Sequence, residues 1–267
     1  MSVTHPHAGR LLREWRQRRR LSQLDLALEA EISQRHLSFV ESGRAAPSRE
    51  MLLHLCGYLD IPLRERNTLL LAGGYAPMFT ESRLDDPAFQ PARQAMEKVL
   101  TGHEPFPALA VDRHWTLVSA NRIVPLLLTG ITDPTLLTPP VNVLRLTLHP
   151  NGLARRIANL PVWRAHIQER LRQQIATHRD PGLTRLMTEL SSYQTGATHV
   201  LATELPVAVP LDLDTTEGRL SLISTTMVFG TAMDVTLAEL AIEAFFPANS
   251  ETTARLNALA AKHIAGT

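Results

Sequence analysis

Between Gly9 and Gly73 apolar residues recur at spacings of three and four, the period at which side chains meet on a helix surface. Leu11, Leu12 and Trp15 mark the inner face of a first helix ending near Arg20. A second is predicted from Ser22, with Asp25 three residues on approximating a capping box and Leu26, Ala27 and Ala30 turned inward. Ser33 opens a third, with Leu37 and Val40 inward and Gly43 as its stop. Pro47 and Ser48 introduce a fourth, carrying Met51, Leu52, Leu55 and Leu59, and Pro62 opens a fifth that runs through Leu63 and Leu69 to Gly73 and Gly74. Residues 1–75 are therefore expected to form an all-α, five-helix domain.

The pattern then changes. Residues 76–88, with Pro77, Asp85, Asp86 and Pro87, read as a linker, and residues 89–267 as a second domain. After a helix at about 89–101, Pro107–Val111 and Trp115–Ser119 have strand character around a turn at Asp112 to His114. Helices are expected at about 120–128, 153–159, 161–177 and 181–192. Val207–Leu213 and Leu220–Phe229 return to strand-like content around Glu217-Gly218, and one or two helices fill Leu237–Ala265, interrupted at Pro247. Strands, helices, then strands predict a mixed α/β domain on an antiparallel sheet, and α+β for the whole chain.

A length of 267 residues suits one small and one medium domain, and 44% hydrophobic residues suffice for their cores. The net charge of +1 gives no global sign of a nucleic-acid partner, but its distribution does. Arg10, Arg13, Arg16, Arg18, Arg19 and Arg20 face only Glu14 in the first helix, which suits either a polyanion or a solvated face. Cys56 is the only cysteine, so intramolecular disulfides and cysteine-rich metal sites are excluded and a reducing, cytoplasmic setting is expected. No apolar run has membrane-spanning length and the N-terminus lacks a signal-peptide core, so no membrane partner is expected.

The run Ser22-Gln23-Leu24-Asp25-Leu26-Ala27, followed by Ser33-Gln34-Arg35-His36-Leu37-Ser38-Phe39-Val40-Glu41-Ser42-Gly43-Arg44, resembles the helix-turn-helix of the xenobiotic-response-element family, to which the lambdoid phage repressors belong. The resemblance implies a lambda-repressor-like fold and double-stranded DNA as partner, with the third helix in the major groove. It assigns base contacts to Gln34, Arg35 and Phe39, with His36 and Ser38 nearby: Gln can pair with adenine, Arg with guanine, and Phe can press on a thymine methyl. Gln23, Ser33, Arg44, Ser48 and Arg49 would hold phosphates. Arg16 and Glu41 match positions that form a structural ion pair. Glu31 departs from the family, which often has glycine in this turn.

Further on, Glu104-Pro105-Phe106-Pro107-Ala108, Asp112-Arg113-His114-Trp115, Asn142-Val143-Leu144-Arg145-Leu146, Leu148-His149-Pro150-Asn151-Gly152-Leu153 and Phe229-Gly230-Thr231 resemble regulators with an MmyB-like ligand-binding domain. So does Asp234 to Leu240 through Glu243 to Ala248. This implies a PAS-like fold and a small apolar ligand, such as a fatty acid, with no other cofactor. Phe106, Trp115, Leu144, Trp163, Met227 and Phe229 are candidate walls for the ligand or ordinary core. Arg145 and His149 are the first candidates for an acidic head group, with Asn121 and Arg122 as alternatives, or else members of salt bridges and caps. No zinc-protease helix, phosphate loop or nucleophile elbow is present, so no enzyme is expected. A homodimer on DNA is expected; a C-terminal domain that only dimerises or binds a protein partner is the rival reading.

Overall fold

Each of the first four helices begins where a polar side chain closes its opening turn. The computed structural model describes residues 7–178, 180–193 and 208–265. His7 accepts from the Arg10 amide at the start of α1 (Ala8–Arg18). Ser22 and Asp25 exchange the two bonds of a capping box on α2 (Gln23–Glu29). Ser33 accepts from the His36 amide on α3 (Gln34–Glu41), and Ser48 from Met51 on α4 (Arg49–Tyr58), each at 3.1 Å. Such caps satisfy amides that the helix leaves unpaired. Pro62 precedes α5 (Leu63–Ala72) without a side-chain cap. Leu12, Leu26, Leu37, Leu52, Leu55 and Leu59 are fully buried among these five helices. The turn between α2 and α3 accepts Glu31 at a φ of +52°, a left-handed conformation that glycine reaches more cheaply.

The helical unit extends past residue 75. It takes in the chain up to Arg83 together with Gly230–Ala238. Thr80 pairs with Asp234 in a parallel bridge, the Val235 amide donates to Thr80 at 2.8 Å, and the Asp234 carboxylate accepts from the Ser82 amide at 3.0 Å. Asn67 on α5 holds the backbone of Met78 and Phe79 through both ends of its amide. In the segment expected as linker, Met78 and Phe79 are thus bonded to Asn67, and Thr80 and Ser82 to a stretch some 150 residues away, where local composition carries no signal.

The second unit comprises Leu84–Phe229 and Glu239–Thr267. After α6 (Gln90–Gly102) come β1 (Ala108–Val111) and β2 (Leu117–Ala120), then α7 (Ile123–Leu127), α8 (Val143–Leu148), α9 (Leu160–His178) and α10 (Pro181–Ser192). The chain returns to β3 (Leu211–Thr215) and β4 (Gly218–Val228), leaves for the short α11 (Val235–Ala238) of the first unit, and closes with β5 (Ala241–Pro247) and α12 (Ser250–Ala265). The strands form one antiparallel sheet in the order β2-β1-β5-β4-β3, giving the mixed, PAS-like unit of an α+β chain.

Two expectations are corrected here. Residues 241–247 form a central strand, with Ala244 opposite both Ala108 and Thr225, where a helix was expected. Ile242, Phe245 and Phe246 favour a pleated surface, and a short apolar run ending at proline does not distinguish strand from buried helix by period. Residues 153–159 hold a 3-10 turn, Ala154–Arg156, and a bridge from Ile157 to Leu213 in place of the expected helix. The expected strand start at Val207 lies outside the described residues. Leu109, Val111, Leu148, Leu171, Leu213 and Leu222 belong to the second unit's core, between sheet and helices.

Candidate functional site

On α3, Leu37 and Val40 are 0% and 1% exposed, which fixes the helix by its inner face and turns Gln34 and Arg35 outward; both are exposed. Phe39 lies half-buried one turn further, with the guanidinium carbons of Arg35 and Arg44 at 5.4 and 5.9 Å from its ring centre. His36 and Ser38 flank it, half-buried. Ser33, Arg44, Ser48 and Arg49 are exposed, the two serines at the N-termini of α3 and α4 where amides concentrate positive potential.

Behind this surface Arg16 and Glu41 form a buried, two-pronged ion pair, Nε to Oε1 at 2.6 Å and Nη2 to Oε2 at 2.8 Å. Arg16 Nη1 donates to the Leu21 carbonyl, and Gln23 Nε2 donates to Glu41 Oε2 at 2.8 Å, so α1, the start of α2 and the end of α3 share one carboxylate. The Gln23 amide nitrogen carries a second hydrogen that this bond does not use. The basic run of α1 is divided between structure and surface. Arg19 donates to the carbonyls of Leu59 and Asp60, Arg10 and Arg18 flank Glu14, and Arg13 and Arg20 stand exposed with no ion pair among the described residues.

In the second unit Trp115, Leu144 and Trp163 are buried in one cluster, with Phe106 packed against it. Met227, 39% exposed on β4, and Phe229 beyond its end stand outside that cluster. Sequence reasoning missed a polar group beneath Trp115. Arg170 of α9 lies 4.9 Å from its ring centre and pairs with Glu243 of β5, which is 3% exposed and also accepts from Thr226. The indole Nε1 donates to Gln174 at 2.9 Å. An acidic residue in the middle of an apolar strand was the one available signal.

The model of the MmyB-like transcription regulator ligand binding domain matches residues 92–259, more than half of the chain, and a helix-turn-helix model matches residues 12–66. The chain belongs to the MmyB-like transcription regulators. Among curated proteins none matches it. This MmyB-like regulator is a DNA-binding protein with a ligand-binding domain. No helix among its described residues is long and apolar enough to cross a membrane.

The polar candidates of the regulator's ligand-binding domain are engaged internally. Arg145 donates to both oxygens of Glu189 at 2.6 and 2.8 Å, and Tyr193 donates to the same carboxylate. The Arg145 bonds hold the Glu189 carboxyl below its usual range, while burial, followed by the nearby carboxylate, pushes the Tyr193 phenol up to about 12. His149 Nδ1 accepts from the Asn151 amide. Asn121 is 5% exposed and spends its amide on the backbone of Leu100, Phe106, Ala108 and Ile123. Arg122 is an exposed partner of Glu104.

Proposed function

We propose that this regulator reads a specific DNA sequence with α3 and that its larger unit senses a small apolar ligand of fatty-acid type. The observation that carries the first part is the exposure of Gln34 and Arg35 above a buried Leu37 and Val40. An amide and a guanidinium so presented reach base edges, each good pair being worth about 1–3 kcal/mol of discrimination. Gln23, Ser33, Arg44, Ser48 and Arg49 fix the register on phosphates, and His36, Ser38 and Phe39 complete the base-reading surface.

The apolar character of the ligand is supported by the convergence of Phe106, Trp115, Leu144 and Trp163 on one cluster. Two copies on a palindromic or repeated site would let the ligand change the spacing of their DNA-binding helices. A ligand does so only by binding the two arrangements with unequal affinity, and DNA then alters ligand affinity by the same factor.

Genomic footprinting of the wild type and of Gln34→Ala and Arg35→Ala tests the reading of α3: defined sites should appear and fade in both variants. Operator affinity measured with and without saturating decanoate tests the sensor. Equal affinities would remove the ligand-driven mechanism and favour a second unit that only dimerises or binds a protein.

A further inference from the structure

Near the start of α9 two neighbouring residues are buried with donors that meet no acceptor among the described residues. Trp163 is 3% exposed and its indole Nε1 is unbonded; Arg164 is 5% exposed and its Nε is sealed from solvent and also unbonded. Four other arginines of this unit have a counter-charge: Arg122 has Glu104, Arg145 has Glu189, Arg170 has Glu243 and Arg219 has Asp214. For Arg164 burial acts alone, lowering the affinity of its guanidinium for the proton, with no carboxylate near enough to oppose it.

A buried donor with no acceptor destabilises the fold, and more so when it belongs to a cation without a counter-charge. Both groups are donors only, so whatever completes them is rich in acceptors, and for a guanidinium it is anionic. Apolar residues dominate the buried positions of this stretch, and the His166 ring lies 5.3 Å from that of Trp163. Ala165, Ile167 and Leu171 of the same helix are buried, as are Leu153 and Ile157 just before it. A guest that suits both features has an anionic end and a hydrocarbon body, and a carboxylate matches the guanidinium fork.

We propose that Arg164 anchors the carboxylate of an acyl ligand, with Trp163 beside it. The proposal rests on the reading of the larger unit as an apolar-ligand sensor, and it names the residue that holds the polar end. Arg145, the first candidate from the sequence, already carries Glu189.

Calorimetric titration of the full chain with decanoate and with 1-decanol, which share the chain and differ in charge, provides the test. The wild type should bind decanoate about tenfold or more tightly than 1-decanol, reflecting a charge-assisted bond. Arg164→Met should erase that preference and leave 1-decanol binding unchanged, while Arg145→Met keeps the preference. Removing an uncompensated buried charge should leave the ligand-free melting temperature of Arg164→Met equal to or above that of the wild type. A preference that survives in both Arg164→Met and Arg164→Gln overturns the proposal. So does a lower ligand-free melting temperature, or failure to fold, in both variants, because Arg164 would then be structural. Equal wild-type affinity for the two probes overturns the anchor and leaves the apolar-ligand reading standing; binding of neither overturns both.

Discussion

Glu41 is 4% exposed, and Arg16 and Gln23 supply three hydrogen bonds to its two oxygens inside the helical unit. Removing one member of such a pair strands the other, at a cost of about 3–5 kcal/mol. Glu41→Ala should lower the urea stability of the helical unit by that order, and an unchanged midpoint would show that the pair is not structural. His166, beside Trp163, illustrates a pH effect. Burial, then the nearby Arg170, lowers its pKa against the pull of Glu243. Its neutral form is favoured in the folded state, so its contribution is intact above the unfolded pKa of about 6.5 and is lost as pH falls below that, through the depressed value. The melting temperature should fall on acidification from pH 7 to 5, and less so in His166→Phe; equal slopes would contradict this assignment.

At the scale of elements, the close approach of α1 to α3 depends on a missing side chain. A Cβ on Gly9 would lie 1.8 Å from the Val40 carbonyl oxygen, which is backbone and cannot turn aside. Gly9→Ala should therefore destabilise the unit by at least about 1–3 kcal/mol through overpacking, measured by chemical denaturation. Wild-type stability would mean that α1 and α3 stand further apart. The second, third and fourth helices were legible because their signals are local: Ser22, Ser33 and Ser48 each bond an amide three residues on. β5 was not, since its identity as a strand comes from pairing with β1 and β4, and Glu243 within it makes sense only beside Arg170, 73 residues earlier. The inner face of α3 followed from the helical period and its outward residues from the family resemblance, whereas the engagement of Arg145 depends on Glu189, 44 residues away.

Across the whole molecule, the two families matched along the chain assign DNA binding to its N-terminal part and ligand binding to the remainder. The chain itself returns to the helical unit at Gly230–Ala238, between β4 and β5, a connection that composition had not suggested. The account turns on base reading by α3, and the most direct measurement is fluorescence anisotropy on a footprinted operator and its single-base variants, with wild type and Arg35→Ala. The predicted result is a loss of about 1–3 kcal/mol on the operator together with relaxed discrimination at one guanine. Uniform weakening across all sequences, or no change, would contradict it.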